Sequence, residues 1–224
     1  MPGSVFTPGD AILGWTTGTW GDISGISHTD IMCFTTGTKI VTKDGLVDVE
    51  TLIPGDMVST CDHGNQPVRW LSTTSVTATQ QINDPEIRPI LIRCGTLGPN
   101  SPCRDTWVSP QHRVVYSGWK AELYFGTTEV LVSAKALARI GIAERDDSLK
   151  AVTYVHVLFD GHEILTGDGL KSESLMPAEM ARSTMTADQL AKIEKLDSQC
   201  PQSGERLAKL ARPEVRVKEA LVLA

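Results

Sequence analysis

The sequence lacks several features that would settle its class at once. No apolar run approaches the roughly 18 to 20 residues of a membrane-spanning helix, so no membrane span is expected. Met1 to Asp10 has neither the basic nor the apolar segment of a secretory signal, which predicts a cytoplasmic protein or export by a signal-independent route. Lys and Arg never cluster and the formal net charge is −6. That argues against nucleic acid as a partner, because phosphate binding relies on concentrated positive charge. The five cysteines (Cys33, Cys61, Cys94, Cys103 and Cys200) include no C-x-x-C pair, and their odd number leaves at least one thiol unpaired in a monomer. They make a poor disulfide framework and leave room for a reactive thiol. Cys61 and His63 with Cys94 and Cys103 lack the compact spacing of structural zinc. No metal or cofactor is expected, and Cys94 with Cys103 could close a short disulfide loop only in an oxidising compartment.

What is present suits one sizeable globular domain with a short appendage: 224 residues, 41% hydrophobic and 21% charged. Residues 1–32 are rich in Gly, Ser and Thr and read as a leader. From Cys33 the texture changes to short β-branched runs punctuated by turn residues. Thr38 to Thr42 and Leu46 to Leu52 flank Lys43-Asp44-Gly45. Val68 to Val76, Ile87 to Leu97 and Thr106 to Tyr116 are further strand candidates. Ser133 to Ile140 is the one helix expected in this stretch. Val152 to Phe159 and Glu163 to Thr166 flank Asp160-Gly161, a hairpin signal. After Leu175 the pattern turns helical: a capping box at Thr186 and Gln189, apolar residues Leu190, Ile193 and Leu196 at helical spacing, and a short helix from Ser203 stopped by Pro213. The expected organisation is a leader (1–32), a mainly β domain (33–175) and a helical C-terminal tail (176–224).

Three blocks carry a resemblance. Cys33-Phe34-Thr35-Thr36-Gly37-Thr38-Lys39-Ile40 leads into Val49-Glu50-Thr51-Leu52-Ile53-Pro54-Gly55-Asp56-Met57-Val58. This is similar to the opening block of Hint domains, the module shared by hedgehog proteins and inteins: a nucleophile, a G-T-x-I strand, then V-E-x-L-x-P-G-D-x-V. The second block, Val108-Ser109-Pro110-Gln111-His112, resembles the T-x-x-H block of that family with Ser in place of Thr. The third, Val152 to Leu175 with Asp160-Gly161-His162-Glu163 and Ser172-Glu173-Ser174, resembles its C-terminal hairpin, as found in a bacterial Hint subfamily. The resemblance implies a mainly β, intein-like horseshoe of short antiparallel strands. It covers Cys33 to the C-terminus and not residues 1–32.

It also implies self-cleavage. The Cys33 thiol lies next to the carbonyl of Met32, so its effective concentration is high. Attack would exchange the Met32–Cys33 amide for a thioester, an N-to-S acyl shift. His112 could protonate the departing amine, and Ser109 could hydrogen-bond the scissile peptide. Water or a small or protein nucleophile would then accept the thioester, with the chain's own N-terminal segment as substrate. Such a domain reacts once on itself and is not a turnover enzyme. Full splicing is not expected, because Gly169 to Ser174 has no His-Asn pair and the only Asn residues, Asn65, Asn83 and Asn100, lie far upstream.

Blander readings compete. A cysteine at a strand start is ordinarily a small buried hydrophobe. His162 could cap a turn instead of serving the site. His156 alternates with Tyr154 and Leu158, which favours packing on a strand face. Asp105 could orient a base or deprotonate Cys33, against the plainer reading of an exposed loop carboxylate. The alternative function is a catalytically silent Hint-shaped structural or interaction module. A conventional Cys-His hydrolase fits less well, since nothing specifies a substrate pocket.

Overall fold

A computed structural model describes residues 32–176 and 209–224. The leader over 1–31, the capping box at Thr186, the Leu190–Leu196 stripe and the helix start at Ser203 lie outside the described residues.

The described part begins with β1 (Phe34–Thr35), a hairpin of β2 (Lys39–Thr42) and β3 (Gly45–Asp48), then β4 (Met57–Thr60), β5 (Gly64–Pro67) and the long β6 (Trp70–Val76). Helix α1 (Ala78–Asn83) precedes β7 (Ile90–Ile92), β8 (Thr106–Val108) and β9 (Arg113–Ser117). Helix α2 (Trp119–Phe125), β10 (Glu129–Ser133), α3 (Ala134–Arg139) and β11 (Glu144–Arg145) follow. The body closes with β12 (Val152–Leu158), β13 (Ile164–Gly167) and β14 (Leu170–Glu173), and β15 (Glu214–Val215) joins from the C-terminal segment. One sheet runs β11-β7-β8-β1-β12-β6. The other runs β15-β10-β9-β14-β13-β2-β4-β5, with β3 on β2. The fold is mainly β, as expected.

Local chemistry explains where the elements depart from the sequence pattern. The stretch Thr106 to Tyr116 is two strands in different sheets, split by the turn Ser109-Pro110-Gln111-His112, in which His112 N donates to Ser109 O at 3.1 Å. Proline at the second turn position presets its φ. The hairpin expected at Asp160-Gly161 does not form, because β12 and β13 belong to different sheets. The hairpin is instead β13–β14, where Asp168 (φ 50°) and Gly169 (φ 78°) supply the paired left-handed residues of a tight turn. Two helices escaped the periodicity reading because each is under two turns long: α1, opened by a Thr77–Gln80 capping box, and α2, stopped by left-handed Gly126.

Two apolar clusters hold the sheets together. Phe34, Ile40, Val58, Val155, Phe159 and Leu165 form one. Ile92, Val114, Val132, Leu137 and Leu170 form the other, which also contains Val215 and Leu223 of the C-terminal segment. Each such side chain contributes about 1.5–3 kcal/mol when fully buried. Residues 209–224, expected as the end of a helical tail, instead add a parallel strand on β10 and a 3₁₀ turn over Glu219–Leu223.

Candidate functional site

Strand register brings the site together. Phe34 on β1 pairs with Val155 on β12 and with Val108 on β8, both antiparallel. One residue back from Phe34 is Cys33; one residue on from each partner is His156 and Ser109. The ladder therefore sets Cys33 between a histidine and a serine, on the strand face opposite Phe34. Gly167 allows Phe34 its seat, since a Cβ there would come within 2.9 Å of the Phe34 ring.

Cys33 is held on three atoms. Its N–H donates to Ser109 Oγ at 3.0 Å, and its carbonyl accepts from Ser109 N at 3.0 Å. Its Sγ lies 3.2 Å from Nδ1 and 3.3 Å from Nε2 of His156. Burial pushes the thiol pKa well above its ordinary value, against a smaller opposing effect of Ser109. Burial also lowers the pKa of His156 to about 4, opposed by a hydrogen bond to the Met32 backbone. His156 therefore lies against the thiol, and the Met32 backbone beside it partly offsets the effect of burial.

His112 closes the same turn three residues after Ser109. Its carbonyl and that of Pro110 accept from Ala134 N and Lys135 N, anchoring the turn on the first amides of α3. The ring packs edge-on against Phe34 with centroids 4.6 Å apart. Neither ring nitrogen has a hydrogen-bond partner among the described residues. Burial, then the charges of Arg113, His156 and His162, lower its pKa to about 3.

Met32, Cys33 and Ser109 thus meet at one peptide bond, and His112 follows Ser109 on the same turn with its ring on Phe34. His162 and Asp105 stand elsewhere. His162 is buried, with Nε2 3.0 Å from Glu173 and Nδ1 accepting from Ala211 N at 3.0 Å. Asp105 is held by Arg93 at 2.9 Å and by the Cys94 amide at 3.0 Å. His156 is the residue whose contact with Cys33 the sequence pattern missed. Its alternation with Tyr154 gave the correct face, and the missing information was which strand lay opposite. Cys33, Cys61, Cys94 and Cys103 are free thiols, so the Cys94–Cys103 disulfide is not formed. Among the described residues no three His, Cys, Asp or Glu side chains gather as a metal-binding set, and no helix is long and apolar enough to cross a membrane.

Fold and site together define a mainly β domain with a buried thiol just before β1. The chain belongs to the Hint domain family, whose model matches residues 32–179. No curated protein sequence matches it. Among solved structures it is similar to a bacterial intein-like domain from Clostridium thermocellum, with 14% identity, TM-score 0.40, and coverage of 65% of this chain and 100% of that one. It is also similar to the MchDnaB-1 intein, with 12% identity, TM-score 0.39, and coverage of 65% and 100%. Self-processing is the general capability that the Hint family suggests.

Proposed function

We propose that this domain cleaves its own Met32–Cys33 peptide bond through a thioester at Cys33, without splicing. The observation that carries the reading is the three-point hold on Cys33, which puts its amide nitrogen on Ser109 and its sulfur on His156. Both buried histidines are neutral near pH 7, so each can accept a proton. The thiol is also neutral at rest. Deprotonation is therefore concerted with attack rather than completed beforehand.

One His156 nitrogen takes the thiol proton as Sγ bonds to the Met32 carbonyl carbon. Negative charge develops on the carbonyl oxygen, toward which the imidazolium so formed can turn its second N–H. Collapse breaks the C–N bond, and the Cys33 nitrogen leaves with a proton. His112, protonated from solvent as negative charge forming nearby raises its basicity, supplies that proton, and His156 releases the thiol's proton to solvent. The net change is one proton from sulfur to nitrogen. Water or an added thiol then attacks the thioester and frees residues 1–32.

An intact-mass time course with and without dithiothreitol tests this. Thiol-accelerated loss of the mass of residues 1–32 is expected, abolished in Cys33→Ala and retained in Cys200→Ala. Cleavage persisting in Cys33→Ala would sink the mechanism. A second reading, a Hint-shaped module that no longer cuts, is favoured by one feature: thiol and histidines are all neutral, so nothing is pre-activated. An unchanged mass under both conditions would select it.

A further inference from the structure

Met32 is 4% exposed, and its side chain ends against a charge. Nη1 of Arg113 donates to its Sδ at 3.3 Å. The guanidinium is tied in place from two further sides. Nη1 lies 3.1 Å from Oε2 of Glu173, and Nε lies 3.1 Å from Oε1 of Glu214. Glu173 is fully buried and is fixed in turn by the Arg113 amide at 2.9 Å and by His162. His162 accepts from the Ala211 amide. Glu214 and Ala211 both belong to the C-terminal segment, whose strand β15 lies parallel on β10.

We propose that Arg113 selects the side chain preceding the nucleophile, and that the C-terminal segment sets Arg113 for this task through Glu214 and Ala211. Its meaning for catalysis rests on the reading of Met32–Cys33 as the scissile bond, while the selection itself needs no cleavage. The side chain admitted is long, unbranched at Cβ, and carries a hydrogen-bond acceptor at its δ position or one bond beyond. Thioether sulfur is a weak acceptor, and the amide oxygen of Gln, one bond further out, is a better one. Glu173 and Glu214 hold the guanidinium in place beside Met32. An apolar side chain at position 32 therefore forfeits the hydrogen bond that Sδ accepts from a charged donor.

This predicts an order opposite to that of an ordinary apolar pocket. Met32→Gln keeps the length and presents Oε1 one bond beyond the place of Sδ, where Met carries its terminal methyl. Met32→Leu keeps the hydrophobicity and presents nothing. Thiol-induced cleavage in the full chain is expected to run at least about ten-fold faster in Met32→Gln than in Met32→Leu, the effect of one hydrogen bond to a charged group. Glu214→Gln keeps Arg113 but loosens it, and the preference is expected to shrink to about three-fold. The same pairs are melted in a Cys33→Ala background, where no cleavage intervenes. There the Met32→Gln variant should melt above the Met32→Leu variant, by a margin that Glu214→Gln narrows.

Both orders holding supports the inference. Leu equal to or better than Gln in cleavage and melting overturns it in favour of an apolar pocket. Equal cleavage rates in all variants overturn it while leaving self-cleavage standing. Absence of cleavage in every variant, with the melting order intact, removes self-cleavage and leaves the selection by Arg113.

Discussion

His112 and Arg113 are neighbours at the head of β9, yet they serve opposite kinds of interior. His112 packs its ring on Phe34, the residue after Cys33, where its nitrogens find no partner among the described residues and burial leaves both the ring and the Cys33 thiol neutral. Arg113 enters a network in which Glu173 receives two bonds from Arg113 and one from His162, and His162 receives one from Ala211. Both regions place polar groups in the interior. Only the second is satisfied. A satisfied buried network fixes one arrangement of the chain, whereas unmet hydrogen-bonding capacity costs stability and is retained where chemistry uses it. The comparison separates fold-setting residues from reactive ones, and substitutions on each side should move stability in opposite directions.

The largest change is expected on the satisfied side. Glu173→Ala would leave Arg113 and His162 without their shared carboxylate in a site where Glu173 is fully buried. Removing one partner of a buried ion pair costs about 3–5 kcal/mol. Urea unfolding should show a loss of that size, and a loss under about 1 kcal/mol would mean that water already reaches the network.

Acid should act on the other side. His112 and His156 have folded pKa values of about 3 and about 4, below the ordinary 6.5. The unfolded chain therefore binds more protons than the folded one between those values, and stability falls as pH drops. The contribution is complete above about pH 6.5 and is lost progressively toward pH 4 for His156 and pH 3 for His112. For His156 the shift corresponds to about 3 kcal/mol, not additive with that of its neighbour. Melting temperature followed from pH 7 to 4 should decline steeply, and a flat profile would mean that these rings are already solvated.

How much of this was legible in the sequence depends on how far apart the partners lie. Cys33, the turn residues after it and Ser109-Pro110-Gln111-His112 are local patterns, and the mainly β class followed from them, whereas the stretch Thr106 to Tyr116 read as one strand and its turn at Ser109–His112 did not show. His156 reaches Cys33 across 123 residues through the pairing of β1 with β12, which no local pattern specifies. Asp105 shows the converse: near to Ser109 in sequence, it is separated from it by β8. Four residues of extended chain at about 3.3 Å each carry it roughly 13 Å away. The hairpin was misplaced for a related reason. Asp160-Gly161 and Asp168-Gly169 are the same dipeptide, and only the sheet to which the following strand belongs tells them apart.

The two smallest effects sharpen the comparison most. His112→Phe replaces two unpartnered nitrogens with hydrocarbon beside Phe34. It should raise stability by about 1–3 kcal/mol, the desolvation penalty of a buried unsatisfied group, and remove the pH-dependent part due to His112. Thiol-induced cleavage should slow by about 10²-fold or more, as when a general acid is lost. A stabilised and inactive variant would mark His112 as a residue kept against the interest of the fold; a destabilised one would mean that its nitrogens are bonded in solution. Asp105→Asn supplies the zero of the scale. Its carboxylate meets Arg93 and the Cys94 amide at the surface, on the far end of β8 from Ser109. Surface ion pairs contribute little, and the amide can still accept from Cys94, so cleavage should stay within about two-fold of wild type. A slower rate would require Asp105 to act along β8 on the turn that holds Ser109 and His112, and the boundary between the reactive and the structural regions would then lie one strand further out.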